Sequence, residues 1–189
     1  TDYRPAIYRY SLTYSDEGAT LRRRTGIYCL VESSEASRSS VLPHERTFPD
    51  AVRGWATLSA SAEADLSAVF GLFEDDGCEI MDALSSALGQ EVLNFSDVAG
   101  QSHKLERLGA DSSSALISLM RLRTVVIADG HHRYEAARQS QDPRRRYTLA
   151  CLFALDSEGI QVKPFHRHIK GVNPELLQSF QSRLTPRYR

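Results

Sequence analysis

Hydrophobic and polar positions alternate along the N-terminal part of the chain in the manner of β-strands. Residues 3–14 and 26–32 are rich in Ile, Tyr, Leu and Val, and an Asp-Glu-Gly sequence at 16–18 lies between them as a turn signal. These two segments are therefore predicted to pair as strands. A continuous apolar run at 68–73 is short and contains Gly71, which favours a buried strand over a helix.

Elsewhere, apolar residues recur every three to four positions, the spacing that is typical of amphipathic helices. Helices are predicted from Pro49, over 80–88 with Gly89 as the stop, over 112–122, over 131–140 and from Pro174. Strands are predicted at 91–98, 103–108, 123–128, 145–155 and 160–169. Hairpin-like strand pairs and strand-helix-strand units occur together, so the predicted class is α+β: a mixed sheet with flanking helices, rather than a doubly wound parallel sheet.

The chain's 189 residues suit one domain or two small ones. Residues 33–40 are polar and rich in Ser, and two interpretations are open: a flexible linker, or a surface loop that presents residues 43–47. We treat residues 1–189 as a single compact region with a candidate internal boundary near 33–42. Because the chain begins without Met and stops shortly after a helical pattern, we expect a fragment of a longer protein.

The charge balance excludes several classes of protein. There are 23 Lys and Arg against 24 Asp and Glu, which fits neither a polybasic arm nor an acidic disordered tail. Arginine runs at 22–24 and 144–146 are expected at turns, as solvated surface, and no nucleic-acid partner is expected. Apolar runs such as 124–128 are far shorter than the roughly 18 residues that span a bilayer, so no membrane partner is expected.

The cysteines point to a reducing compartment. Cys29, Cys78 and Cys151 are odd in number and widely separated, so they provide neither a disulfide framework nor a thiolate zinc site within the chain. We therefore expect a cytoplasmic protein. Cys29 and Cys151 lie in apolar segments and are expected to be small buried hydrophobic side chains.

Residues 127–137 form the clearest chemical motif, a strand that meets a helix at Gly130. The first amides of a helix have no internal partners, and the helix dipole places partial positive charge at the same end. An anion is the natural occupant of such a position. Gly130 lets a ligand approach the backbone, and Arg133 in the first turn can offer a planar fork to a phosphate or carboxylate.

Each residue at this junction also has a structural alternative. Asp129 can act simply as an N-cap, and Arg133 can pair with a surface carboxylate. His131 and His132 lie about 100° apart on a helix and cannot readily bind one metal ion together. Two histidines, an arginine and an aspartate around one strand-to-helix junction nevertheless serve packing poorly, which favours an anion-binding site.

Two further polar clusters are candidates for function. At 43–47, His44 and Glu45 form an acid-base pair that can take a proton from a hydroxyl or hold Mg²⁺, although an ordinary exposed loop fits equally well. At 166–168, alternation places His166 and His168 on one face of a strand. We expect these two to be solvated edge residues unless the fold brings them beside the helix start.

The motif at 128–137 resembles the signature of a bacterial and archaeal family known as domain of unknown function 1015 (DUF1015). Other stretches resemble it in the same order: 43–47, Arg53, 64–73 and 164–167. The resemblance runs through most of the chain, which is more specific than one short motif. Family members are longer, so the chain is expected to be their middle portion.

The same helix opening is similar to the ParB and sulfiredoxin superfamily, in which the helix start binds nucleotide phosphates. Sulfiredoxin has a reactive cysteine where this chain has His131, so its sulfinic-acid chemistry is not implied. The archaeal free-serine kinases of that superfamily have an Asp-Gly-His-His-Arg segment like residues 129–133 and an earlier catalytic glutamate. By that resemblance, Glu45 is expected to be the base.

The resulting hypothesis is a nucleotide-dependent phosphotransferase, or a related phosphoester enzyme, that acts on a small hydroxylated metabolite with ATP or ADP and Mg²⁺. The expected roles are phosphate binding for Gly130, His131, His132 and Arg133, Mg²⁺ or site orientation for Asp129, proton transfer for Glu45 with His44, a further catalytic contribution from His132, and charge neutralisation by Arg53.

Two alternatives stay open. In the first, the junction binds a nucleotide as a non-enzymatic switch for partner or DNA association. In the second, the protein is a metal-dependent hydrolase that uses imidazole ligands for zinc or iron. The ligands would come from His44, from His131 or His132, and from His166 or His168.

Overall fold

The computed structural model describes residues 6–16, 20–34, 37, 39–161, 168 and 170–184. The strands are β1 Tyr8–Ser15, β2 Leu21–Glu32, β3 Val41–Leu42, β4 Val69–Phe73, β5 Gly89–Ser96, β6 Ser102–Leu108, β7 Val125–Asp129 and β8 Tyr147–Ala154. The helices are α1 Pro49–Ala62, α2 Glu79–Ser86, α3 Ala110–Met120, α4 His131–Arg138 and α5 Pro174–Leu184. In the described part of the chain, no helix is long and apolar enough to cross a membrane.

All eight described strands belong to one sheet, in the order β3-β7-β4-β8-β2-β1-β6-β5. The hairpins β1–β2 and β5–β6 are antiparallel, whereas β4 pairs with β8 and β3 with β7 in parallel. A mixed sheet with helices confirms the predicted α+β class. The candidate boundary near 33–42 falls on the connection between two strands of this same sheet, β2 and β3, and on β3 itself.

The main hydrophobic core lies between one face of the sheet and the helices α2 and α3. Alternate residues of the central strands point into it, among them Ile27, Ile127 and Leu152. Leu84 of α2 and Leu116 of α3 join the same cluster, and both are almost completely buried. Burial of this apolar surface is the main source of stability for the sheet.

The helix α4 packs against α1 and touches strands β4 and β8. Ala136 and Ala137 are buried in α4, and their small side chains allow a close approach between the elements. The start of α4 is therefore held rigidly at the end of β7.

Two sequence predictions were wrong in their local structure. The arginine run at 22–24 lies inside β2 rather than at a turn. The strand tolerates Arg24 because its guanidinium lies over three aromatic rings. Gly89 begins β5 and has no positive φ, so it does not end α2 as a left-handed cap.

The predicted strand at 160–169 falls largely on residues 162–167 and 169, which lie outside the described residues. The described residues around them, 160, 161, 168 and 170, are not in a strand.

Candidate functional site

The junction between β7 and α4 has the geometry that the motif predicts. Gly130 has a φ of 94°, in the left-handed region, and lies directly before the first residue of α4. A Cβ atom at this position would lie 2.6 Å from Nη2 of Arg133. Glycine is therefore favoured by the left-handed backbone conformation, and a Cβ would also force the guanidinium of Arg133 to shift.

The first backbone amides of α4 are left open. Tyr134 donates the first helical hydrogen bond, to the carbonyl of Gly130. Among the described residues, no acceptor lies within hydrogen-bonding distance of the backbone N–H groups of His131, His132 and Arg133. Among the described residues, no side chain caps this helix, so the alternative in which Asp129 is simply an N-cap was wrong.

The start of α2 is built differently. There the buried carboxylate of Asp75 accepts hydrogen bonds from the amides of Ile80 and Met81, at 3.2 and 2.9 Å. Within the described residues, the start of α2 is thus satisfied by an anion of the protein itself, whereas the start of α4 is not. Open amides combined with the helix dipole make the start of α4 suitable for an external anion.

Arg133 is fixed against the junction by three contacts. Its guanidinium donates to Oδ2 of Asp129 at 2.6 Å and to Oγ of Ser67 at 2.8 Å. It also lies over the ring of Trp55, with 5.4 Å between the guanidinium carbon and the ring centre. Its Nε is buried without a hydrogen-bond partner. The guanidinium is therefore pre-positioned beside Gly130 rather than free in solvent.

His131 connects the helix start to the loop at 43–47. Its side chain is buried, with its Nδ1 atom 3.4 Å from Oε1 of Glu45. Its Nε2 accepts a hydrogen bond from the backbone N–H of His44 at 3.4 Å. Nδ1 of His44 donates in turn to the carbonyl of Ile127 at 2.6 Å. This assignment of protons follows from the available acceptors, and it leaves the Nδ1–H of His131 facing Glu45.

The buried position of His131 determines its charge. Desolvation lowers the pKa of the imidazole, and the nearby Glu45 carboxylate only partly opposes this effect. The ring is therefore neutral near pH 7. As a neutral donor it can orient one oxygen of Glu45 and leave the other oxygen available.

His132 connects the same helix start to α1. Its Nε2 accepts a hydrogen bond from the backbone N–H of Phe48 at 3.1 Å, and its ring stacks on the Phe48 ring. Phe48 immediately precedes the first residue of α1. In this arrangement the imidazole of His132 positions the entry to α1.

A cavity of about 530 Å³ opens beside this cluster. Glu45 and His131 line it, together with Thr47, the cationic Arg46 and the ion pair of Arg138 with Glu135. Its volume lies in the range of small-molecule sites, about 300–1,000 Å³. The carboxylate of Glu45 is about half exposed, at 52%, and is thus accessible to a ligand in the cavity.

The remaining candidate residues lie apart from this cluster. Arg53 is exposed and pairs with Asp50. It lines a different cavity, of about 700 Å³, which includes neither Glu45 nor the first residues of α4. His168 is exposed, and His166 lies outside the described residues.

The described part of the chain contains no group of three His, Cys, Asp or Glu side chains that is arranged to hold a metal ion. Sequence reasoning also missed the partners of Arg133. Ser67 lies 66 positions away along the chain and Trp55 lies on another helix, so no local signal could have identified these contacts.

Comparison with known proteins gives a family but no function. A family model described as "Protein of unknown function (DUF1015)" matches residues 1–189. No curated protein and no solved structure matches the chain.

Proposed function

The chain belongs to the DUF1015 family, whose description names no activity, and from the geometry of the site we propose a nucleotide-dependent phosphotransferase that acts on a small hydroxylated metabolite. The observation that carries the proposal is the 3.4 Å contact between Glu45 and His131. It places a carboxylate beside a helix start whose amides are open. A phosphate site and a proton acceptor are the two components that phosphoryl transfer needs.

The phosphate end of the proposed site is the start of α4. The open amides of residues 131–133 and the dipole of the helix attract the phosphates of ATP or ADP, in the manner of the ParB and sulfiredoxin superfamily that this motif resembles. Gly130 removes the Cβ that would hinder this approach, and Arg133 adds a fixed positive charge. Donors that are already in place stabilise charge without reorganisation during the reaction.

Glu45 receives the proton in this proposal. The hydroxyl oxygen of the metabolite attacks the terminal phosphorus of the nucleotide, and a new P–O bond forms. The bond between that phosphorus and the bridging oxygen breaks, so the shortened nucleotide leaves. The hydroxyl proton passes to Glu45, which His131 orients through its Nδ1–H. His44 holds His131 in place from the other side.

Magnesium fits the exposed side of the junction. Asp129 has a side chain that is 78% exposed and uses Oδ2 for Arg133. Its other carboxylate oxygen is the hard donor type that Mg²⁺ prefers, so Asp129 would hold the ion that accompanies the nucleotide.

The substitution Glu45→Gln tests the proposal. It keeps the size and a hydrogen-bonding oxygen but removes the proton acceptor, so kcat is expected to fall by about 10²–10⁴-fold while nucleotide affinity stays close to that of wild type. Nucleotide consumption with a panel of hydroxylated metabolites measures kcat, and calorimetry with the magnesium nucleotide measures affinity.

Glu158→Gln is the matched control, since Glu158 is an exposed carboxylate outside the site. It is expected to behave like wild type in both assays. Full turnover by Glu45→Gln contradicts the role of Glu45. Nucleotide binding by wild type without any product would instead support the nucleotide switch, and absence of nucleotide binding contradicts both.

A further inference from the structure

A second arginine, Arg24 on β2, is placed in an unusual environment. Its guanidinium carbon lies 5.3 Å from the ring centre of Phe153, 5.4 Å from that of Phe70 and 5.9 Å from that of Tyr14. These rings contact the apolar face of the guanidinium and hold it in one place.

The polar edge of the same guanidinium has no partner. Within the described residues, Arg24 makes no ion pair and no hydrogen bond, and its Nε is buried without an acceptor. A buried donor without an acceptor is costly, because the Nε–H group has lost water without gaining a partner. By contrast, Arg22 on the same strand pairs with Asp16.

Arg24 lies close to the strands that lead to the proposed phosphate site. Phe70, under its guanidinium, is the register partner of Asp129 on β7, beside a β-bulge between Phe70 and Gly71. Paired residues on neighbouring strands have Cβ atoms about 5 Å apart. Arg24 is therefore on the order of 10 Å from Asp129 and Arg133. A small metabolite can span that distance.

Side chains on one face of the sheet connect the surroundings of the two arginines. Tyr28, Cys151 and Phe70 are register partners across β2, β8 and β4, so their side chains share this face. Burial raises the pKa of Tyr28, and the positive charge of Arg133 partly opposes this shift. The positive charge of Arg133 thus reaches this face from the side of the helix start.

We propose that Arg24 binds the carboxylate of the metabolite that accepts the phosphoryl group, so that the substrate class is a hydroxycarboxylate. This inference rests on the proposed function, in which the hydroxyl of the same metabolite is phosphorylated. The planar fork of a guanidinium matches a carboxylate in a bidentate pair, and the aromatic rings leave only its in-plane edge for a ligand.

The test compares hydroxycarboxylates of two to six carbons, such as glycerate, with their uncharged amides. In wild type, the acids are expected to be better acceptors than the amides. Arg24→Met keeps the stem and the contact with the rings but removes the charge. It is expected to raise KM for the acids by about 10–100-fold, the loss of a charge-assisted pair, with little change in kcat or in KM for the amides.

Arg22→Met is the matched control, because Arg22 lies two residues earlier on the same face and is already paired. It is expected to retain the preference for acids. A preference that persists in Arg24→Met overturns the inference. Thermal unfolding of both variants shows whether either substitution has damaged the fold, and Arg24→Lys, which keeps the charge, is expected to restore part of the preference.

A separate arm distinguishes this inference from the proposed function. Calorimetry measures the binding of the same acids and amides to wild type and Arg24→Met without nucleotide. If the acids bind in an Arg24-dependent way in this assay but are not phosphorylated in the turnover assay, the phosphotransferase proposal is contradicted and the carboxylate site is supported. Equal binding of acids and amides, or no binding of either, overturns the carboxylate site.

Discussion

At the scale of single residues, His131 shows how burial changes the role of a side chain. The sequence left it as a phosphate ligand or a metal ligand, because a histidine at a helix start is compatible with both. In the structure it is 4% exposed, and both ring nitrogens face groups from the loop at 43–47. Its ring therefore faces Glu45, and Glu45 is the more exposed member of the pair.

This burial predicts a pH dependence of stability. The pKa of His131 is lowered in the folded protein, while the unfolded chain has the ordinary histidine value of about 6.5. Below that value the unfolded chain binds a proton that the folded site resists. The free energy of unfolding is therefore expected to fall as the pH drops from about 7 toward the folded pKa.

Urea unfolding at pH 7.5 and pH 5.5 measures this effect. His131→Gln removes the titrating group, so the difference between the two pH values is expected to be smaller than in wild type. The control His168→Gln changes an exposed histidine and should keep the wild-type difference. A His131→Gln protein that loses as much stability as wild type would show that His131 does not cause the effect.

The predicted burial of two cysteines was correct for Cys151 and only partly correct for Cys29. Cys151 is buried and Cys29 is partly buried, in line with their apolar segments. Burial raises the pKa of Cys29 to about 12 and raises that of Cys151 as well, so both thiols stay protonated and unreactive near pH 7.

At the scale of elements, the unit β7–Gly130–α4 was predictable because its signals are local. A continuous apolar run, a glycine and a following helical pattern all lie within about a dozen residues. The arginine run at 22–24 was placed wrongly for the opposite reason. Arg24 is stable in a strand because of a ring on the neighbouring strand β1 and two rings on β4 and β8, which are distant in the chain.

The helix start gives a sharp test of backbone conformation. Gly130→Ala puts a Cβ at positive φ and within 2.6 Å of Arg133, so it is expected to destabilise the protein by about 1–3 kcal/mol. Gly54→Ala is the opposite case, because a Cβ there meets nothing within 4 Å in an exposed helix. It is expected to stabilise by about 0.5–1 kcal/mol.

Denaturant unfolding of both alanine variants measures these changes. If the two variants have the same stability, the left-handed conformation of Gly130 and its close contact with Arg133 are not the reason for glycine at this position. If Arg133→Ala restores stability to the Gly130→Ala variant, the contact between the new Cβ and the guanidinium costs more than the left-handed backbone conformation.

At the scale of the whole molecule, the sheet decides which residues meet. The candidate residues were recognisable from the sequence, since His44, Glu45 and the motif at 128–137 are unusual polar clusters. Their arrangement was not, because Glu45 and His131 come together only through the edge strand β3 and its parallel partner β7. The same topology leaves Arg53 on the wall of another cavity.

The central claim is that the start of α4 binds nucleotide phosphates. Titration of ¹⁵N-labelled protein with magnesium ADP, followed by NMR, tests it most directly, because each backbone amide reports separately. The largest shift changes are expected at the amides of His131, His132 and Arg133, with smaller ones at Ile80 and Met81, whose amides Asp75 already satisfies. Unchanged signals at residues 131–133 with saturating nucleotide would contradict the claim.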